Sequence, residues 1–152
     1  MTRTQAVAIA SLGSLALLLG AFAFQHIGGL PPCKMCIWQR YPHVSAVVFG
    51  AMALSFQNRV LIIAGALAAL ASGLIGLFHV GVEQGWWDGP TTCSSGPVGG
   101  VSPQELLDQI LTAPLVRCDE IAWDLFGISM AGWNAIVSFS LVALWLLALK
   151  RS

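Results

Sequence analysis

Three uninterrupted apolar runs, Ala6 to Phe24, Val60 to Val82 and Ile128 to Leu149, constrain this chain more than any other feature. A helix needs about 20 mostly apolar residues to cross roughly 30 Å of hydrocarbon. The first run holds no charge, the second has only His79 near its far end, and the third leads straight into Lys150 and Arg151. A fourth run, Val44 to Phe56, is short. It reaches spanning length if Trp38, Tyr41 and Pro42 form its interfacial first turns, as aromatic belt residues do. Pro42 would then sit near a helix start, where its missing N–H has no partner to lose.

Composition agrees with this. Only 9% of the 152 residues are charged and 57% are hydrophobic, with a mean hydropathy of +0.78, whereas a soluble domain is about one-quarter charged. The expected fold is an all-α integral membrane protein, a four-transmembrane-helix bundle forming a single membrane domain over 1–152. Its spans are placed at about 6–24, 41–56, 60–82 and 128–149, with two extracytoplasmic loops at 25–40 and 83–127. A signal peptide is the competing account of the first run, with Arg3 as its basic head and Ala21-Phe22-Ala23 as a cleavage site. The run is longer than the roughly 7–15 apolar residues of such signals, so it is read as a retained span. Zero net charge and no basic cluster argue against a nucleic-acid partner.

Basic residues set the orientation. Arg3, the tight turn Gln57 to Arg59, and Lys150-Arg151 fall on one side with no acid among them. Lys34, Arg40, Arg117 and all seven acidic residues fall on the other. Basic bias in short loops marks the cytoplasmic face, so both termini are expected in the cytoplasm. All four cysteines, Cys33, Cys36, Cys93 and Cys118, then lie in the outer loops, in a compartment that permits disulfides. Four cysteines allow three connectivities, and sequence does not choose among them.

Several chemistries could use these sulfurs. A structural zinc site favours compact spacing, often two Cys-x-x-Cys pairs, and Cys93 and Cys118 are far apart, so no metal is expected. Haem attachment needs histidine after Cys-x-x-Cys, where Ile37 stands. Two inert bridges stapling the loops of a non-catalytic tetraspan scaffold are the plain alternative. A Cys-x-x-Cys ring is a poor staple, because closing so short a loop removes little unfolded-state entropy. Redox exchange suits it better, since a thiol at a helix N-terminus has a depressed pKa. Pro31-Pro32 give an extended approach, the helix is expected to start near Cys36, and Arg40 follows on the same face four residues later. A lone interfacial arginine is ordinarily a snorkelling anchor; four residues after Cys36 it is also a candidate functional cation. His79 is an ionisable group within a span and so a functional candidate, although such a histidine is often only hydrogen-bonded to a neighbouring helix. His26 and His43 are weaker candidates near the interface.

The stretch "CKMCIWQRYP", His79 at the outer end of the third span, Cys93, and then "CDEIAWDLFGISMAGW" together resemble the DsbB family of bacterial inner-membrane proteins. The resemblance runs over essentially the whole chain. It implies a thiol:quinone oxidoreductase in the bacterial inner membrane that reoxidises a DsbA-like periplasmic thioredoxin-fold oxidase and passes the electrons to a membrane quinone, ubiquinone or menaquinone. Carried over by position, Cys93 would form the mixed disulfide with that partner, and Cys118 would resolve it and could cross over to Cys33. Cys36 would face the quinone, with Arg40 beside the ring and His79 close by. Energetics favour such a sink. A DsbA-type oxidase sits near about −120 mV and structural disulfides below about −300 mV. An ordinary bridge would be uphill as its oxidant by roughly 180 mV, or about 8 kcal/mol for two electrons.

The second loop divides into parts. Trp86 and Trp87 read as interfacial anchors. "DGPTTCSSGPVGG" is turn-rich, so Cys93 is expected to be exposed and mobile. "SPQELLDQIL" opens with Ser102 as N-cap, Pro103 at N1 and Glu105 at N3. It continues as a short amphipathic helix suited to the membrane surface, ended by Pro114.

The charge asymmetry makes a prediction. Reporter domains fused after Asn58 or Lys150 read cytoplasmic, and one fused after Gly96 reads outside; activity from the Gly96 fusion in the cytoplasm would overturn the orientation.

Overall fold

The computed structural model describes residues 1–90, 93, 102–112 and 116–151, with backbone alone at 105, 106, 109, 110 and 112. Among them are helices α1 (Arg3–His26), α2 (Lys34–Phe56), α3 (Arg59–Glu83), α4 (Pro103–Thr112) and α5 (Met130–Lys150), and a two-stranded hairpin of β1 (Asp124–Leu125) and β2 (Ile128–Ser129). Helices α1, α2, α3 and α5 pack as neighbours around a ring, α1 on α2 and α5, α3 on α2 and α5.

Local chemistry fixes where each helix begins. Thr2 and Gln5 form a reciprocal capping box on α1, with 3.2 Å from the Gln5 amide to Thr2 Oγ1 and 2.8 Å from the Thr2 amide to Gln5 Oε1. Gln57 closes α2 in the left-handed region at φ 55°. Asn58 then caps α3, its side chain accepting from the Val60 amide at 2.9 Å. Two residues therefore suffice to reverse the chain, and the Arg3 guanidinium ties that turn to α1 by donating to the Gln57 carbonyl at 2.6 Å.

Helix α2 departs from expectation. It starts at Lys34 rather than near Cys36, because Cys33 is its N-cap, the sulfur accepting from the Cys36 amide at 3.2 Å. Pro42 consequently lies inside the helix, not at its start, where it deprives the Trp38 carbonyl of a donor without ending the helix. At the other end of the chain, the apolar run Ile128 to Leu149 begins its helix at Met130. Ile128 and Ser129 are instead held in the hairpin, opposite Leu125 and Asp124. Phe126 and Gly127 form the turn at φ 54° and 75°, and Ser129 Oγ caps α5 by accepting from the Gly132 amide at 3.2 Å.

Three helices, α1, α3 and α5, are long and apolar enough to cross a membrane. Helix α2 carries Lys34, Gln39, Arg40 and His43 in its first turns. The side chains are sorted as a lipid-solvated protein requires: Leu12, Leu19 and Leu67 point outward, while Ala6, Ala10, Ser14, Ala69, Ser72, Ala135 and Ser138 fill the interior. This is a multi-pass membrane protein. At its Gln57 end the bundle closes on Trp145, which is fully buried and seated against Gly50 and Gly65.

In the second loop, α4 leaves Leu107 and Leu111 exposed one turn apart. The Glu105 side chain of the expected capping box, and residues 91, 92 and 94–100 of the turn-rich stretch around Cys93, lie outside the described residues. Trp87 is half-covered, stacked on Phe78 and donating its indole N–H to the Phe78 carbonyl at 3.0 Å.

A methyl group at Gly65 would stand 2.6 Å from the Trp145 indole, while one at Gly20 meets nothing within 4 Å. Gly65→Ala is expected to lower the thermal unfolding midpoint in detergent, overpacking of this kind costing about 1–3 kcal/mol. Gly20→Ala should leave the midpoint unchanged or raise it.

Candidate functional site

At the opposite end from Trp145, the two outer loops meet in a layer of sulfur. Of the three connectivities open to the sequence, the structure has Cys93 joined to Cys118, with Cys33 and Cys36 as thiols. Cys93 and Cys118 are both fully buried, packed with Cys33, Met35 and Val82. The expectation of an exposed Cys93 is therefore corrected. Its amide donates to the Pro90 carbonyl and its own carbonyl accepts from the Cys118 amide, both at 2.8 Å, so the bridge is folded onto the bundle.

The sulfurs of Cys33 and Cys36 stand 2.8 Å apart, near enough to open or close a disulfide with little backbone movement. The proton is shared unequally. The hydrogen bond that Cys33 donates to Cys36, together with burial, pushes the Cys33 thiol far above its ordinary pKa. The same bond pulls Cys36 down, with a smaller contribution from the Arg40 charge. Cys36 is therefore the more readily deprotonated of the pair, and its bond to Cys33 contributes more to that than the Arg40 charge.

His79 connects the two loops. Its Nε2 lies 3.1 Å from the Cys118 carbonyl oxygen and 3.6 Å from Cys33 Sγ, and its Nδ1 lies 3.0 Å from the Gln39 amide nitrogen. A carbonyl must accept and an amide NH2 must donate, so the proton is assigned to Nε2. Glu83, one turn on, approaches Nε2 to 3.8 Å and accepts a hydrogen bond from Ser129 Oγ. Cys33 Sγ, His79 and Cys118 Sγ lie within 4.8 Å of one another, but the Cys118 sulfur is committed to its disulfide.

Arg40 is clasped to α1. It donates to Gln25 Oε1 at 2.6 Å and toward the Ala21 carbonyl at 3.4 Å, and its guanidinium carbon lies 5.0 Å from the centre of the Phe22 ring. Its Nε is buried without a hydrogen-bond partner among the described residues. Beside it, between α1, α2 and α5, is a cavity of about 250 Å³, with Cys36, Gln39, Arg40 and His43 along one wall and Leu17 and Trp133 among the apolar residues. These four α2 residues are spaced i, i+3, i+4, i+7, one helix face.

Sequence reasoning missed Gln39, Glu83 and Asn134. Gln39 is nearly buried and joins His79 to Asn134, whose amide donates to Gln39 Oε1 at 2.7 Å. The available signals were the spacing of Gln39 three residues after Cys36 and of Glu83 four after His79. Of the weaker histidines, His43 is buried against Asn134 and His26 is exposed, stacked on Phe22.

Comparison with known proteins bears on this site. The family model described as "Disulfide bond formation protein DsbB" matches residues 3–148. A curated "Disulfide bond formation protein B" from Polaromonas sp. (strain JS666) is 35% identical, covering 93% of this chain and 88% of its own length. That from Shewanella amazonensis is 36% identical over 91% and 85%, and that from Albidiferax ferrireducens 32% over 93% and 84%. No solved structure matches. With the family model covering nearly the whole chain and these relatives aligned along most of it, the chain belongs to the DsbB family of disulfide bond formation proteins.

Proposed function

We propose that this protein is a membrane thiol:quinone oxidoreductase. It reoxidises a DsbA-like periplasmic thioredoxin-fold oxidase and passes the electrons to ubiquinone or menaquinone. The observation that carries the reading is the meeting of Cys33 and the Cys118 segment on His79, with Cys36 at the wall of the apolar cavity. That arrangement runs from the second-loop bridge, through the first-loop pair, to a space that opens among lipid-facing helices.

Helix α2 is the fourth crossing in this reading, within a single membrane domain over 1–152 and with both termini cytoplasmic. Its 23 residues extend roughly 34 Å, enough to span, and it packs between α1 and α3. Gln39, Arg40 and His43 of this helix face inward, onto His79, Asn134 and the cavity.

The residues present fit a quinone. The cavity has apolar walls for a flat ring, and its polar groups include Arg40, whose Nε donor has no partner among the described residues. A bound quinone supplies a sink for two electrons and two protons. The chain's own residues do the rest. A partner thiolate attacks Cys93, the Cys93–Cys118 bond breaks, and Cys118 leaves as a thiolate beside the His79 N–H. Cys118 can then attack Cys33 when Cys33 and Cys36 are joined, releasing Cys36 as the thiolate. The partner's second thiol displaces Cys93, leaving the partner oxidised, and the Cys93 thiolate attacks Cys118, restoring Cys93–Cys118 and releasing Cys33. Return of the reduced Cys33 and Cys36 to their disulfide gives up two electrons and two protons. Arg40 stabilises negative charge beside Cys36, and His79 with Glu83 offers a buried route for a proton at Cys33. Helix α4, with Leu107 and Leu111 exposed, lies on the membrane surface in this scheme.

Two experiments test it. Cys118→Ala is expected to trap a mixed disulfide between Cys93 and the soluble oxidase, seen on non-reducing gels; trapping that requires Cys33 instead would reverse the assigned direction of electron flow. Arg40→Gln is expected to slow quinone-driven loss of the Cys33 and Cys36 thiols on the order of 10²-fold in thiol titrations, with Arg40→Lys intermediate because it keeps the charge without the planar fork. Exchange between Cys93–Cys118 and the partner stays near wild type. Wild-type thiol loss in Arg40→Gln would reduce Arg40 to an anchor, and quinone-insensitive thiols in the native protein would indicate a scaffold.

A further inference from the structure

His43 lines the cavity beside Cys36 and has a ring nitrogen to spare. The side chain is 2% exposed. Its Nε2 lies 3.0 Å from Asn134 Oδ1 and 3.3 Å from Ser138 Oγ. The Asn134 amide nitrogen is already committed, donating to Gln39 Oε1 at 2.7 Å and Ser72 Oγ at 3.2 Å. Its oxygen therefore faces His43 and can only accept, which puts the His43 proton on Nε2. Nδ1 of the neutral ring is then a bare lone pair. It is buried and has no hydrogen-bond partner among the described residues, a state that buried polar groups ordinarily avoid.

The position suits a ring lying along α2. His43 is three residues beyond Arg40, about 4.5 Å further along the helix and on the same face. A lone pair selects by chemistry as well as place. A quinone offers two carbonyl acceptors and nothing to donate, so it cannot satisfy Nδ1. Its two-electron, two-proton reduced form carries two hydroxyls and can.

We propose that His43 is a positioning residue that distinguishes the reduced ring from the oxidised one, Nδ1 accepting the hydroxyl hydrogen at the end of the ring remote from Cys36. This rests on the quinone reading above. The overall exchange is balanced: the Cys33 and Cys36 thiols become a disulfide, and their two electrons and two protons end on the ring oxygens. A contact made only with the reduced product makes the bound quinone easier to reduce, because preferential binding of one redox form shifts the equilibrium between the two by the same factor. The polar knot of Asn134, Gln39 and Ser72 holds the imidazole in the tautomer that does this.

The test uses two redox-inert probes, a 4-alkylphenol and its methyl ether, which differ in one O–H donor, each displacing a short-chain alkyl benzoquinone from the purified full-length protein. In the wild type the phenol should compete about tenfold better than the ether, the worth of one net hydrogen bond. In His43→Phe that preference should fall to within about twofold while affinity for the benzoquinone changes little. In nitrogen-15 histidine-labelled wild type, the His43 Nδ1 resonance should move with the phenol and stay with the ether, a readout that survives if His43→Phe does not accumulate. Undiminished preference in His43→Phe, or an Nδ1 resonance unmoved by the phenol, overturns the proposal. Absence of benzoquinone binding to the wild type would instead overturn the quinone reading itself.

Discussion

A histidine buried among helices surrounded by lipid must find its partners within the protein, and His79 organises the cysteine-bearing half of this molecule by doing so. Its Nε2–H goes to the Cys118 carbonyl and its Nδ1 accepts from Gln39. These bonds pin the second loop to α3 and α3 to α2. Water is not at hand to substitute, and an unpaired polar group in such surroundings costs several kcal/mol. Gln39 is held in turn by Asn134, Asn134 by His43 and Ser72, and His43 by Ser138. The chain of partners crosses α2, α3 and α5, so the helices around the sulfur layer are fixed in register by donor and acceptor matching rather than by shape alone.

The other half of the bundle is held differently. Around Trp145 the contacts are Gly50, Gly65, Ala10, Ala66, Ala69 and Ala148, with little polar chemistry. Close approach of backbones supplies van der Waals contact where lipid tails leave little hydrophobic driving force between helices. The molecule thus has a close-packed half around Trp145 and a polar, cavity-bearing half where the chemistry is proposed to occur.

Much of this was legible in the sequence, and the failures have physical causes. The apolar runs located the helices, because spanning length is a one-dimensional property. Cys33, Cys36, Arg40 and His79 stood out as candidates because close cysteine spacing and ionisable groups at or within a span are rare. Gln39 and Asn134 were not, since a neutral amide in an apolar helix says nothing of its partner until the neighbouring helix is in place. The second loop misled for a related reason. Gly, Pro, Ser and Thr around Cys93 describe a chain without helix or strand, and composition has no means of saying that the sulfur at its centre is tucked into the bundle. Pro42 was placed at a helix start because the Cys33 side-chain cap, which begins α2 earlier, is a three-dimensional fact.

Burial of the Cys93–Cys118 bridge has an effect on traffic as well as on stability. A sulfur with no exposed surface cannot be reached by a small thiol drifting past, however abundant, because attack requires the incoming sulfur to line up along the bond. Attack on this bond therefore requires Cys93 or Cys118 to leave its packing first, a cost that a thiol held against the protein by further contacts can offset and a freely diffusing one cannot.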